Sequence, residues 1–109
     1  MPIRQPKSTG PLTTSTTPAA ILTVTSGQTW QVRQISICNN TGVPAGVTIS
    51  KGSPTGANFF RSSAKLLAAG DRDVVWGPIT LVGGESLWAQ SSTAASNNLL
   101  VDVEFDNLI

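Results

Sequence analysis

The sequence has no histidine and no tyrosine, and a single cysteine and a single methionine among its 109 residues. Without histidine there is no imidazole general base and no Ser–His or Cys–His nucleophile pair. Zinc sites that use histidine or several cysteines are excluded for the same reason. Cys38 has no partner for an internal disulfide and reads as a small core residue. No phosphate-cradling GxxxxGK[ST] motif occurs. Carboxylate-pair catalysis stays chemically open, but no pair is marked by local sequence. Asp71 and Asp73 flank Arg72 beside Gly70, which reads as a turn with solvated acids. Asn39-Asn40-Thr41 has the form of a glycosylation acceptor, which matters only on a secretory route.

Charge is scarce too. Asp, Glu, Lys and Arg make up 12% of the chain, and the net charge is +1. That is about half the usual charged share, and it offers no field to gather nucleic acid. No run reaches the roughly 18 apolar residues of a membrane-spanning helix, and residues 1–20 lack the apolar core of a secretory signal. The expectation is a non-enzymatic protein with no cofactor and no metal, made in a cytoplasm, with neither nucleic acid nor membrane as a partner.

In place of charge stand Ser, Thr, Asn, Gln and Gly, together with many Val residues. That composition favours strands over helices. A surface kept wet by hydroxyls and amides repels partners weakly, which suits a chain built to assemble. Residues 1–18, MPIRQPKSTGPLTTSTTP, form a distinct segment with four prolines. They exclude a helix and a regular central strand. The segment reads either as a disordered tail or as an extended arm on a neighbouring subunit. Ile3 and Leu12 would anchor such an arm, and Arg4 and Lys7 are its charges.

Residues 19–109 read as one domain of about eight short strands: 20–26, 29–40, 47–52, 73–76, 79–82, 85–92 and 99–106, with 59–67 either a strand or a helical turn. Gly77-Pro78 is expected to break any single ladder through 73–82. The last strand is the clearest. Leu99, Val101, Val103 and Phe105 alternate with Leu100, Asp102, Glu104 and Asp106, giving one core face and one solvated acidic face. Arg4 or Lys7 of a neighbour's arm is the alternative partner for those acids. The fold expected is all-β, a single antiparallel β-sandwich or jelly-roll-like barrel with an extended N-terminal arm.

The stretch 29–40, TWQVRQISICNN, switches parity. Trp30 and Val32 fall on one face by twos, and Ile35 and Ile37 on the other. All four read as core residues. A β-bulge near Arg33-Gln34 would explain the switch, with the strand bending to serve both sheets. A strand covered on both faces is the other account. The phrase Gly27-Gln28-Thr29-Trp30 is echoed by Gly84-Glu85-Ser86-Leu87. Each reads as a turn whose fourth residue points inward. Trp88, one position later, then faces outward and becomes the candidate contact residue. Trp76 fits either face.

The runs ILTVTSGQTWQVRQISICNNTGVPAGVTIS, ITLVGGESLWAQSS and LLVDVEF resemble small β-sandwich virion proteins of tailed bacteriophages. The resemblance covers about residues 20–105. It implies a structural role without catalysis, as a capsid decoration (cement) protein or as a neck, tail or fibre component. It also implies a homotrimer in the virion, bound to the major capsid protein or another virion protein. A carbohydrate-binding module, with Trp88 and Trp76 as sugar platforms, is the rival from a different class.

Overall fold

A computed structural model describes residues 4–53, 59–92 and 99–108. Among these residues nine strands form two antiparallel sheets, and there is no helix. One sheet runs in the order β1 (Arg4–Ser8), β9 (Leu99–Leu108), β4 (Thr29–Asn39), β7 (Arg72–Val82), with β2 (Leu12–Thr13) also on β9. The other runs β3 (Ala19–Thr23), β8 (Ser86–Ser91), β5 (Val47–Lys51), β6 (Phe59–Arg61). The inner faces meet in one core that includes Val24, Val32, Ile35, Ile37, Ile49, Leu81, Leu87, Leu99, Val101, Val103 and Phe105. Each fully buried aliphatic side chain of this kind stabilises the sandwich by about 1.5–3 kcal/mol.

The parity switch is resolved by a bulge at Arg33. Val32 stands opposite Phe105 and Gln34 opposite Glu104, so Arg33 has no counterpart on β9. One inserted residue shifts the side-chain alternation by one. Val32, Ile35 and Ile37 therefore all reach the same core, each at 0% exposure. The expectation that β4 bends from one sheet to the other at this point is corrected. β4 stays in a single sheet throughout, because the bulge resets parity without turning the chain.

β7 answers the bulge. Val32 faces Ile79 and Gln34 faces Trp76, so Gly77 and Pro78 lie opposite Arg33. The expected break at Gly77-Pro78 does not occur, and 72–82 is one strand. Two irregularities set side by side let the ladder continue past a proline. Glycine is required at 77, because a Cβ there would run into the carbonyl oxygen of Val32.

The two tight crossings between sheets lie in the two echoing turns. Gln28 N–H donates to Thr25 O at 3.0 Å, and Glu85 N–H to Val82 O at 2.9 Å. Gly27 and Gly84 take the third position of these turns with φ of +83° and +87°, the conformation a type II turn reserves for glycine. The turns also touch. A Cβ on Gly83 would come within 2.8 Å of Gly27 N. One turn joins β3 to β4 and the other joins β7 to β8, so each carries the chain across the sandwich.

Three further placements follow from the sheet. Cys38 lies on the outer face of β4, half-buried, with its thiol donating to Asn40 Oδ1 at 3.2 Å. Parity set by the bulge turns it away from the core that holds Ile37. Phe59-Phe60 belongs to a strand of only three residues. Asn39, the asparagine of the acceptor-like triplet, is 0% exposed and closed to modification in the folded chain.

Candidate interaction surfaces

Of the residues singled out in the N-terminal segment, Ile3 lies outside the described residues. Residues 4–8 and 12–13 are extended and pair with β9 of the same chain. All five residues of β1 are exposed. Leu12 is half-buried opposite Val101. Arg4 Nη1 donates to Gln31 Oε1 at 2.7 Å and lies 3.5 Å from Asp106 Oδ2. Arg33 Nε lies 3.5 Å from the other oxygen of Asp106. Ser8 donates to Asp102 at 3.0 Å. Lys7 makes no ion pair among the described residues. Two of the three acids on the acidic face of β9, Asp102 and Asp106, thus find partners within the chain, and Asp106 is buried rather than solvated.

The three tryptophans occupy three environments. Trp30 is half-buried at the margin of the core, where its ring stacks on Phe105 with centroids 4.8 Å apart. Its Nε1 donates to Gln28 at 2.8 Å. Trp88 lies on the outer face of β8, yet it is half-buried and its Nε1 is enclosed without a partner. Trp76 is 71% exposed, the most exposed large apolar side chain among the described residues. Periodicity alone could not find it, because Gly77-Pro78 obscured which face of β7 it occupies.

β7 forms one margin of its sheet, and its lateral seam with the other sheet is charged. Arg61 on β6 has a side chain only 2% exposed and donates from Nε to Asp73 Oδ2 at 3.0 Å. Its Nη1 donates to Val47 O at 3.0 Å, while its Nη2 is buried without a partner. Lys65 Nζ stands 3.3 Å from the same Asp73 oxygen. Burial pushes the Asp73 carboxyl upward, but the hydrogen bonds from Arg61 and Val74 N–H, with Lys65 alongside, outweigh it and hold the group below its ordinary value. The expectation of a solvated turn acid fails because 72–82 is a strand and Arg61 reaches across to it.

The same margin is capped at several backbone groups. Val74 N–H donates to Asp73 Oδ1 at 2.9 Å, and Val82 N–H to Glu85 Oε1 at 2.8 Å. Thr80 O accepts from Lys51 Nζ at 3.1 Å, and Lys51 in turn pairs with Glu85 at 3.5 Å. Pro78 has no N–H. Such capping is how edge strands avoid pairing with other chains.

A second exposed apolar group sits at the end of the sandwich where β4 stops. Asn39 Nδ2 donates to Val43 O at 2.9 Å and Leu67 O at 3.0 Å, while its Oδ1 accepts from Thr41 N–H at 3.0 Å. One buried carboxamide thereby ties loop 40–46 to loop 62–71. The loops present Val43, 47% exposed, and Leu66, 60% exposed.

The described residues contain no group of three or more His, Cys, Asp or Glu that would hold a metal ion. No protein-family profile and no curated protein sequence match the chain. Among solved structures, the chain is similar to one from the acidic stable capsid structure of Helicobacter pylori bacteriophage KHP30, with a TM-score of 0.57 and 14% identity. The alignment covers 98% of this chain and 88% of that one, and at this identity it establishes a shared β-sandwich fold.

Proposed function

We propose that this chain is a structural protein of a phage virion, a decoration (cement) protein that binds the outer head surface and reinforces junctions between shell subunits. The observation that carries this reading is the fold shared, over nearly the whole of both chains, with a chain of a phage capsid structure. Chemistry is consistent with it: the chain has no histidine and little charge, and its exposed groups are suited to contact. The Val43 and Leu66 loops are already ordered by Asn39, so docking them forfeits little conformational entropy. The partners are the major capsid protein or another virion protein and further copies of the chain, as a homotrimer on the particle. Arg4 and Lys7 remain candidate contacts, because strand β1 is held by polar contacts and exposes all five residues; Leu12 on β2 and Trp88 on the outer face of β8, both half-buried, remain candidates as well.

Purified protein added to particles lacking it is expected to sediment with heads. Electron microscopy of labelled particles separates this from the second reading, a neck, tail or fibre component. Deleting residues 1–18 is expected to lower occupancy. Absence of the chain from purified virions by mass spectrometry, together with failure to bind any particle, would sink both readings.

A further inference from the structure

The outer face of β7 carries an apolar column. Leu81 and Ile79 are buried and point inward, and Val75 packs against the core. The alternate residues Val74, Trp76, Pro78, Thr80 and Val82 therefore line the outer face. Trp76 is 71% exposed and Val82 50%. Four of these five residues are apolar, and the column spans about 26 Å at the strand rise of ~3.3 Å per residue. Its neighbours across the sheet are the uncharged Gln34, Ser36 and Gln31 and, opposite Pro78, Arg33, whose charge is paired with Asp106. A contiguous stripe of this kind marks a contact site.

We propose that β7 is a self-association surface, in which two copies pack this column side chain to side chain about a two-fold axis near Pro78. The occupant follows from three observations. First, the margin disfavours a partner that adds a strand: Val74 N–H, Thr80 O and Val82 N–H are already bonded within the chain, and Pro78 has no N–H to offer. Second, the column is self-complementary. Reversed on itself about Pro78, it sets Val74 against Val82 and Trp76 against Thr80, with each indole beside the other copy's proline. An isologous contact demands that property. Third, most charges bordering β7 are paired within the chain, Asp73 with Arg61 and Lys65, Glu85 with Lys51 and Arg33 with Asp106; Arg72, at the far end of the strand from Val82, makes no ion pair among the described residues. With a net charge of +1, two copies meet without repulsion.

The contact is one strand wide, so it falls at the small end of specific interfaces. It is weak between free chains and gains where copies are held near one another on an array. It does not rest on the virion reading and is compatible with a separate three-fold contact.

The test is sedimentation of the full chain from about 5 to 500 µM. The expected result is a concentration-dependent rise to an even multiple of the chain mass. Trp76→Asp and Val82→Asp each remove it, weakening association by about 30-fold or more at the tryptophan, while Ala64→Asp, an exposed change elsewhere, leaves it intact. Far-ultraviolet circular dichroism confirms that each variant is folded. A chain monomeric throughout, an oligomer of odd multiples only, or an oligomer indifferent to both β7 variants overturns the proposal. Failure to bind particles leaves these masses unchanged and speaks only to the virion reading.

Discussion

The two margins of the larger sheet are held in opposite ways. β7 is bound to β4 along eleven residues and seamed to the other sheet by the Arg61–Asp73 pair. Three of its outward backbone groups are taken by Asp73, Glu85 and Lys51. β1 buries no side chain and rests on β9 through backbone pairing and exposed polar contacts. A strand that must stay in place is thus stapled by a buried ion and shielded from strand addition. A strand that contributes little to the core is left polar and detachable.

The largest test of this contrast is removal of the staple. Asp73→Ala leaves the guanidinium of Arg61 buried without its counter-ion, and breaking such a pair is expected to cost about 3 kcal/mol in urea denaturation. Replacing both partners, Arg61→Met with Asp73→Val, is expected to recover most of that loss, since the unpaired buried charge goes too. The pair also sets an acid limit. The Asp73 carboxyl lies below its unfolded value of 3.8, so its contribution is complete above that value and is lost as pH falls through the lower folded value. The stability gap between the native chain and Asp73→Asn is therefore expected to be constant near neutrality and to shrink below about pH 4. A gap independent of pH down to the acid transition would mean that the carboxylate charge is not what holds β7.

Gly77→Ala strikes the same margin through its backbone. The added methyl meets the carbonyl oxygen of Val32, and the bulged pairing must open to admit it. A cost of about 1–3 kcal/mol is expected from forced backbone displacement. An equilibrium unfolding midpoint unmoved by the change would show that the ladder around Arg33 is looser than its register implies.

These sites differ in how far the sequence exposes them. Alternation alone marks Leu99, Val101, Val103 and Phe105, because β9 has no irregularity and one covered face. It also places a bulge near Arg33, because the parity of Trp30 and Val32 conflicts with that of Ile35 and Ile37. What the bulge does to the path of the chain is not local information. It depends on Gly77 and Pro78, more than forty positions away, standing opposite Arg33. Asp73 is hidden for the same reason. Its partner Arg61 lies on the other sheet, and Asp71-Arg72-Asp73 by itself has the look of a polar turn. Trp88 is seen as outward from its offset within the echo, but the enclosure of its indole arises from tertiary packing that periodicity does not encode.

The smallest expected effect is at β1, and it decides whether the contrast is real. Five ordered residues cost about 1–2 kcal/mol each in backbone entropy, and each net hydrogen bond returns about 0.5–1.5 kcal/mol. The two sides nearly cancel, and no buried apolar side chain tips the balance. Arg4 is more than half exposed, and a pair of that kind adds at most about 1 kcal/mol before screening; Asp106 keeps Arg33 when Arg4 is lost. Arg4→Ala, and even deletion of residues 1–8, is therefore expected to shift the unfolding free energy by no more than about 1 kcal/mol. Hydrogen exchange reads the same balance without a mutation. β1 amides are expected to exchange through local opening, while β4-bonded amides of β7 exchange only with global unfolding. Protection of β1 equal to that of β7 would show that the N-terminal strand is locked into its own sheet. It would then be unavailable to a neighbour.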